Sequence, residues 1–286
     1  MKLYAPSTIK DIREKHGFNF SKNLGQNFLV DKNIIDQIID ESYITEDDLV
    51  IEIGPGVGVL TAEAAQRAKK VVAVEIDTSL IPILEETLAE FDNVTVINRD
   101  ILKTDLKEIV DEYGTGGGVK IIGNLPYYIT TPIIMKILED DVKVDSITIM
   151  MQKEVADRIK ASPGSKIYGA LSAAVQYYCT IEQIATAPKE VFVPRPKVDS
   201  AVLRLDVRKE APVELLDEKT FFRCIKCGFE QRRKTLLNSL GGTGLTKDEL
   251  RQVLDDAGID PVRRIETLDL QELADLANSM TKLTDR

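Results

Sequence analysis

Asp48-Leu49-Val50-Ile51-Glu52-Ile53-Gly54-Pro55-Gly56-Val57-Gly58 runs from a β-branched, apolar stretch straight into a glycine loop, and the helix-like Leu60-Thr61-Ala62-Glu63-Ala64-Ala65 follows. Strand, glycine loop, helix is the arrangement by which parallel α/β sheets hold nucleotide-like cofactors. Glycines let the backbone turn sharply and let a ligand approach atoms that a Cβ would shield. The N–H groups that open the next helix point back at it. The spacing is not that of a dinucleotide loop. Gly-x-Gly-x-x-Gly needs its third glycine at position 59, where this chain has Val59 and its glycine one residue earlier, which disfavours NAD.

Working outward, Lys70-Val71-Val72-Ala73-Val74 reads as the next strand and ends at Glu75-Ile76-Asp77. A carboxylate there accepts from both hydroxyls of a ribose, which suits Glu75 to any adenosine-bearing cofactor. One strand later, Asn93 to Arg99 delivers Asp100-Ile101, an acceptor for an adenine amino group beside a side chain that packs the ring. The competing reading makes Asp77 and Asp100 helix caps, and Thr78-Ser79 after Asp77 fits a helix start. Val119-Lys120-Ile121-Ile122-Gly123 then spills into Asn124-Leu125-Pro126-Tyr127, which combines an amide that accepts and donates, a proline turn and a ring able to stack on a planar substrate. A heterocycle carrying an amino group suits that set. Alone, the tetrapeptide is equally an ordinary strand-ending turn.

The remaining pattern predicts a doubly wound α/β sheet. Asp31 caps a helix with an Ile34, Ile35, Ile38, Ile39 stripe, and strands follow at 49–53, 70–75, 93–98, 119–123 and 145–151. Two further strands, at 182–187 and 201–207, bracket Phe192-Val193-Pro194-Arg195-Pro196. From about Glu210 the pattern is purely helical, with a capping box at Thr246-Lys247-Asp248-Glu249 and a break at Gly241-Gly242-Thr243-Gly244. The boundary is placed near residue 208, giving domains 1–208 and 209–286.

Composition bounds the class. A chain of 286 residues with 43% hydrophobic content buries a full α/β core and a smaller second domain. Cys179, Cys224 and Cys227 are too few and too unevenly spaced for a secreted disulfide framework, so reduced thiols in the cytoplasm are expected. Cys224-Ile225-Lys226-Cys227 has no second pair and His16 is the only histidine, so the two thiols read as helix packing and no metal is expected. The amino terminus, with Lys10, Asp11, Arg13, Glu14 and Lys15, lacks the apolar core of a signal peptide, and no run approaches a membrane span. Net charge is −10, which taken as a sum opposes a nucleic-acid partner. The bases nevertheless gather at 2–22, 189–209 and 219–234 and the acids at 36–48, 85–92, 105–112 and 248–285, which predicts a polarised surface.

Seven blocks in order carry a resemblance that spans nearly the whole chain: Leu24-Gly25-Gln26-Asn27-Phe28-Leu29, Glu52 to Gly58, Val74-Glu75-Ile76-Asp77, Arg99-Asp100, Gly123-Asn124-Leu125-Pro126-Tyr127-Tyr128, Gln152-Lys153-Glu154-Val155-Ala156 and Val191 to Ser200. They resemble the ribosomal RNA adenine dimethyltransferases, and within them the bacterial small-subunit (16S) family linked to kasugamycin sensitivity. Phe229 to Leu240 resembles the carboxyl domain of that family more than the macrolide-resistance enzymes that modify 23S RNA, whose tetrapeptide usually has isoleucine where this chain has Leu125.

The resemblance implies a seven-stranded S-adenosylmethionine-dependent methyltransferase domain with a small all-α carboxyl domain, and S-adenosylhomocysteine as product. It implies that Asn124, Leu125, Pro126, Tyr127 and Phe192 form the catalytic site, Asn124 and the Leu125 carbonyl accepting the amino hydrogens while Tyr127 and Phe192 close on the base. Cofactor contacts carry over to Asn27, Leu29, Gly54, Gly56, Glu75, Asp100, Ile101 and Asn124; Glu52 is open between a cofactor role and a structural one. Tyr128, Phe28 and Ile129 are candidate walls of the acceptor pocket. Arg195, Lys197, Arg223, Arg232, Arg233 and Lys234 are expected to meet RNA phosphates, the last three on an amphipathic helix. The expected substrate is two adjacent adenines in the 3′-terminal hairpin of 16S ribosomal RNA within the immature small subunit, and a monomer is the expected state. The alternatives are a 23S adenine methyltransferase, a mainly non-catalytic small-subunit assembly factor and, last, a NAD-dependent oxidoreductase.

Overall fold

The computed structural model describes residues 2–21, 24–140 and 142–284; Lys22 of the first basic cluster and Asp285 of the last acidic run lie outside the described residues. The chain begins with α1 (Pro6–His16), β1 (Phe28–Leu29) and α2 (Lys32–Asp40). It then alternates β2 (Leu49–Ile53), α3 (Val59–Ala65), β3 (Lys70–Glu75), α4 (Ile81–Thr87), β4 (Val94–Asn98), α5 (Leu106–Tyr113), β5 (Val119–Asn124), α6 (Thr130–Glu139) and β6 (Ser146–Gln152). After α7 (Lys153–Ile159) and α8 (Ala170–Tyr178) come β7 (Cys179–Ala187), β8 (Phe192–Val193) and β9 (Ser200–Val207). The remainder is helical: α9 (Glu218–Glu230), α10 (Leu236–Ser239), α11 (Lys247–Asp256) and α12 (Leu270–Thr284).

Two compact units result, one of residues 1–156 and 180–207, the other of 157–179 and 208–286. The first is built on a seven-stranded sheet in the order β4-β3-β2-β5-β6-β9-β7. Strands β4 through β6 pair in parallel, and β9 runs antiparallel to β6. All five residues of β2 are buried, as its unbroken apolar run requires of a strand covered on both faces. Asp31 caps α2 by accepting from the N–H groups of Asn33 and Ile34, and the four isoleucines of its stripe are all buried. The strand order reverses between β2 and β5, so the crevice at their carboxyl ends is where this topology binds ligands.

One element escaped the sequence. β1 and β8 form a two-residue antiparallel pair, Leu29 opposite Phe192 and Phe28 opposite Val193, too short for any periodicity to announce. The edge of the large sheet is tied down by Arg204, 7% exposed, whose guanidinium reaches Asp206 at 3.0 Å, Glu182 at 2.5 Å and the Glu41 carbonyl at 2.9 Å. Its partners are half-exposed and rehydrate when the cation is lost. Arg204→Met, which keeps the stem, is therefore expected to cost about 2 kcal/mol, read as a lower denaturant midpoint.

The second unit packs around Phe221, Cys224 and Ile225 of α9, whose spacing puts them on one helix face. Cys224 lies 3.8 Å from the Met280 sulfur, so its thiol packs in this core, where burial pushes it up to about 12. Thr246 and Glu249 form the capping box at the start of α11. The sequence placed a single crossing near 208, whereas this unit also takes 157–179. Tyr168, Ala173 and Tyr177 from that segment belong to the core of Phe221 and Leu254. An apolar helix such as Ala170–Tyr178 does not reveal by periodicity which core it joins. Among the described residues no cluster of three or more His, Cys, Asp or Glu side chains is arranged to hold a metal, and no helix is long and apolar enough to cross a membrane.

Candidate functional site

The reversal point carries a cleft of about 1090 Å³, its open mouth included, within the first unit. The glycine loop after β2 forms one wall. Gly54 and Gly56 have φ of 69° and 61°, and a Cβ on Gly56 would lie 2.8 Å from the Phe28 ring, so only glycine leaves the loop its path.

At the end of β3, Glu75 is 4% exposed and accepts from the Asp77 N–H at 2.8 Å, with the N–H groups of Gly56 and Ile76 also directed at it. Burial nevertheless outweighs these donors and pushes its carboxyl up to about 7. Glu52 in β2 is 1% exposed, and the Thr61 hydroxyl of α3 donates to it at 2.5 Å. Burial, with Glu75 adding like charge, pushes Glu52 up to about 8.

Both readings of Asp100 hold at once: one oxygen accepts from the Leu102 N–H at 3.0 Å as a cap, and the residue also lines the cleft with Ile101. Asp77 is a cap, accepting from the Ser79 N–H at 3.0 Å, and its second oxygen takes the Gln26 side chain at 2.7 Å. That bond fastens the Leu24–Leu29 segment to the end of β3, a link no local pattern announced.

β5 ends at Asn124, whose side-chain nitrogen donates to the Asn27 carbonyl at 2.7 Å. The nitrogen being committed, the amide oxygen is the atom left for a ligand. Leu125 is anchored by its N–H to Met150 at 3.1 Å, and the Tyr127 hydroxyl shares a hydrogen bond with Ser200 at 2.7 Å that fixes its ring. Tyr128, 61% exposed, stands on the same loop, and Phe28 and Ile129 also line the cleft.

The cleft thus brings together Asn27, Leu29, Gly54, Gly56, Glu75, Asp100, Ile101, Asn124, Leu125, Pro126 and Tyr127. Phe192 is not among its lining residues, which corrects the expectation that its ring closes on a base. Pairing of β8 with β1 turns Phe192 into the core with Leu29, Ile34 and Ile35, where it is 3% exposed. His16 lies elsewhere, 2.9 Å from Glu86.

The expected RNA contacts fall on both units. Arg195 and Lys197 are exposed on the loop after β8, Arg195 paired with Glu190. Arg223 is exposed on α9. Arg232, Arg233 and Lys234 occupy a turn after α9 instead of the expected amphipathic helix, closed by the Lys234 N–H on the Gln231 carbonyl at 2.8 Å. Arg233 and Lys234 are exposed there, while Arg232 is half-buried and donates to the Lys166 carbonyl at 3.0 Å.

Comparison with known proteins agrees with this geometry. A ribosomal RNA small subunit methyltransferase A of Clostridioides difficile is 53% identical, covering 100% of this chain and 99% of its own. The protein of the same name from Bacillus mycoides is 52% identical over 97% of both. Among solved structures, a dimethyladenosine transferase from Plasmodium falciparum superposes with a TM-score of 0.75 at 25% identity, over 89% of this chain and 97% of that one. The 23S rRNA methyltransferase ErmE gives 0.67 at 26%, over 89% and 99%. The family model described as ribosomal RNA adenine dimethylase matches residues 17–282, and the chain belongs to that family.

Proposed function

We propose that this enzyme transfers methyl groups from S-adenosylmethionine to the exocyclic N6 of two adjacent adenines in the 3′-terminal hairpin of 16S ribosomal RNA, on the immature small subunit. The carrying observation is a single cleft that sets the Asn124 amide, its nitrogen already committed to Asn27, beside the glycine loop and Glu75. The relatives that are 52–53% identical over nearly their full length support the small-subunit substrate.

The residues present fit the cofactor. Gly56 leaves a cradle that a Cβ would fill, Glu75 is a buried acceptor for ribose hydroxyls, and the Asp100 oxygen not used as a cap is available to an adenine amino group beside Ile101. Asn27, Leu29, Gly54 and Gly56 would hold the amino-acid end. When bound, the cofactor supplies an electrophilic methyl on a sulfonium sulfur.

The protein's work lies on the acceptor. The N6 lone pair of adenine is delocalised into the ring, so the amine is a poor nucleophile. The Asn124 amide oxygen and the Leu125 carbonyl accept its hydrogens, which localises the lone pair toward the methyl group without a strong base. Each transfer forms an N–C bond, breaks an S–C bond, releases one N6 proton to solvent and leaves S-adenosylhomocysteine. Tyr127, its ring fixed through Ser200, gives a stacking face for a base out of its helix, with Pro126 setting the turn between. Phe192 acts from behind, packing Leu29.

The first unit is the catalytic domain and the second meets the ribosome. Arg195, Lys197, Arg223, Arg232, Arg233 and Lys234 neutralise phosphates, Arg195 exchanging Glu190 for RNA. The enzyme works as a cytoplasmic monomer. Labelled methyl transfer to unmethylated small and large subunits side by side, with RNA digested to nucleosides, tests the reading. Dimethyladenine from the small subunit alone is expected. Label confined to large-subunit RNA would replace it with the 23S activity named for ErmE, and tight particle binding without label would favour an assembly factor.

A further inference from the structure

Glu52 is the one buried acidic side chain of the cleft that the proposed reaction leaves without a task. It lines the cleft at 1% exposure, the Thr61 hydroxyl is its hydrogen-bond partner, and no ion pair to it is present among the described residues. A carboxylate taken out of water without a cation is costly, and a purely structural link between β2 and α3 would be served as well by an amide.

The surrounding groups do not neutralise it. Glu75 at the end of β3 is a second buried acid, and Asp100 and Arg99 line the cleft after β4. Tyr127 and Tyr128 line it from the β5 loop. On α3, Glu63 faces Lys32 at 3.8 Å, and Lys32 is held also by Asp36 of its own helix. Glu52 precedes the glycine loop and sits beside Ile122, two residues before Asn124, so it lies between the walls assigned to the cofactor's amino-acid end.

We propose that Glu52 is the counter-ion of the ammonium on the cofactor's amino-acid end, carrying a proton in the ligand-free protein and releasing it to solvent when that ammonium binds. The inference rests on the S-adenosylmethionine reading. The balance is simple: the carboxylic acid gives one proton to solvent and becomes a carboxylate, and no bond of the cofactor changes. Burial that holds the acid near 8 supports this, since at pH 7 about nine-tenths of such a group is protonated.

Calorimetric titration of the whole protein in buffers of different ionisation enthalpy reads the released proton directly. At pH 7, S-adenosylmethionine and S-adenosylhomocysteine, which both carry the ammonium, are each expected to release about 0.9 proton more from wild type than from Glu52→Gln. 5′-Methylthioadenosine, which lacks the amino acid, is expected to show no such difference. Between pH 6 and 7.5 wild-type affinity for S-adenosylhomocysteine should rise about tenfold per pH unit more steeply than that of Glu52→Gln.

The stability sign is opposite. An acid raised in the folded state contributes stability below its unfolded value that is lost as pH rises through about 8, so without cofactor Glu52→Gln should melt above wild type at pH 8. Thr61→Val provides a second variant: losing the donor raises the acid further and should move the affinity profile to higher pH. Equal proton release by wild type and Glu52→Gln overturns the proposal, as does release with S-adenosylmethionine alone, which would assign Glu52 to the sulfonium. Failure of wild type to bind either S-adenosyl compound would instead sink the cofactor reading itself.

Discussion

Asn124→Ala is expected to lower the methyl-transfer rate by about 10²–10³-fold while leaving affinity for S-adenosylmethionine within a few-fold of wild type. The side chain has two polar ends with different tasks. Its nitrogen donates to the Asn27 carbonyl at 2.7 Å, which sets the amide plane and leaves the oxygen for the adenine amine. Alanine removes the acceptor at the point where the attacking nitrogen must lose conjugation with its ring. The glycine loop, Glu75 and Asp100 remain as they are. Asn124→Asp should be similarly impaired, because a carboxylate has no hydrogen to give Asn27 and meets its carbonyl with like polarity. Equilibrium binding of the cofactor measured beside single-turnover transfer checks this. A loss of cofactor affinity as large as the loss of rate would remove Asn124 from the acceptor side.

The parts of this argument that were legible in the sequence are those with local causes. β-branched runs such as Leu49–Ile53 and Lys70–Glu75 can bury both faces only inside a parallel sheet, and three glycines after the first of them have few uses besides a ligand loop. Asn124-Leu125-Pro126-Tyr127 announced itself because a polar amide and a proline turn end an otherwise apolar strand. What stayed hidden depended on distant partners. Phe192 read as a free aromatic on a proline-stiffened loop, and only its pairing with Leu29 turns the ring inward. The allegiance of Ala170–Tyr178 to the helical unit is decided by Phe221 and its neighbours, far along the chain. Gln26 and Ser200, which fasten Asp77 and Tyr127, carry no signal of their own beyond membership of the two blocks that contain them. Glu52 was visible as an acid before the glycine loop, but its nearly complete burial, from which its proton chemistry follows, is a property of the folded sheet.

Glu75→Ala should fail in the opposite way from Asn124→Ala, losing the cofactor first and keeping the chemistry. Glu75 is 4% exposed, and its carboxylate gathers the N–H groups of Asp77, Gly56 and Ile76. Those bonds tie the end of β3 to the glycine loop, and they position the carboxylate to accept from two ribose hydroxyls. Hydrogen bonds to a charged acceptor contribute about 1.5–3 kcal/mol each, so losing both ribose bonds should weaken S-adenosylmethionine binding by at least about a hundredfold. The turnover rate at saturating cofactor should remain within a few-fold of wild type, because no group on the adenine side has changed. Glu75→Gln separates the two tasks of the side chain, since its carbonyl oxygen still accepts from the loop while its NH2 end cannot accept a hydroxyl proton. It should keep the thermal stability of wild type and still bind the cofactor weakly. The carboxyl lies near 7 without ligand, and binding that needs the carboxylate should tighten as pH rises through that value in wild type. In Glu75→Gln that part of the pH dependence should vanish. A turnover rate that falls as steeply as affinity, with both variants stably folded, would mean that Glu75 acts on the reacting atoms and that cofactor and acceptor sides cannot be assigned to separate residues.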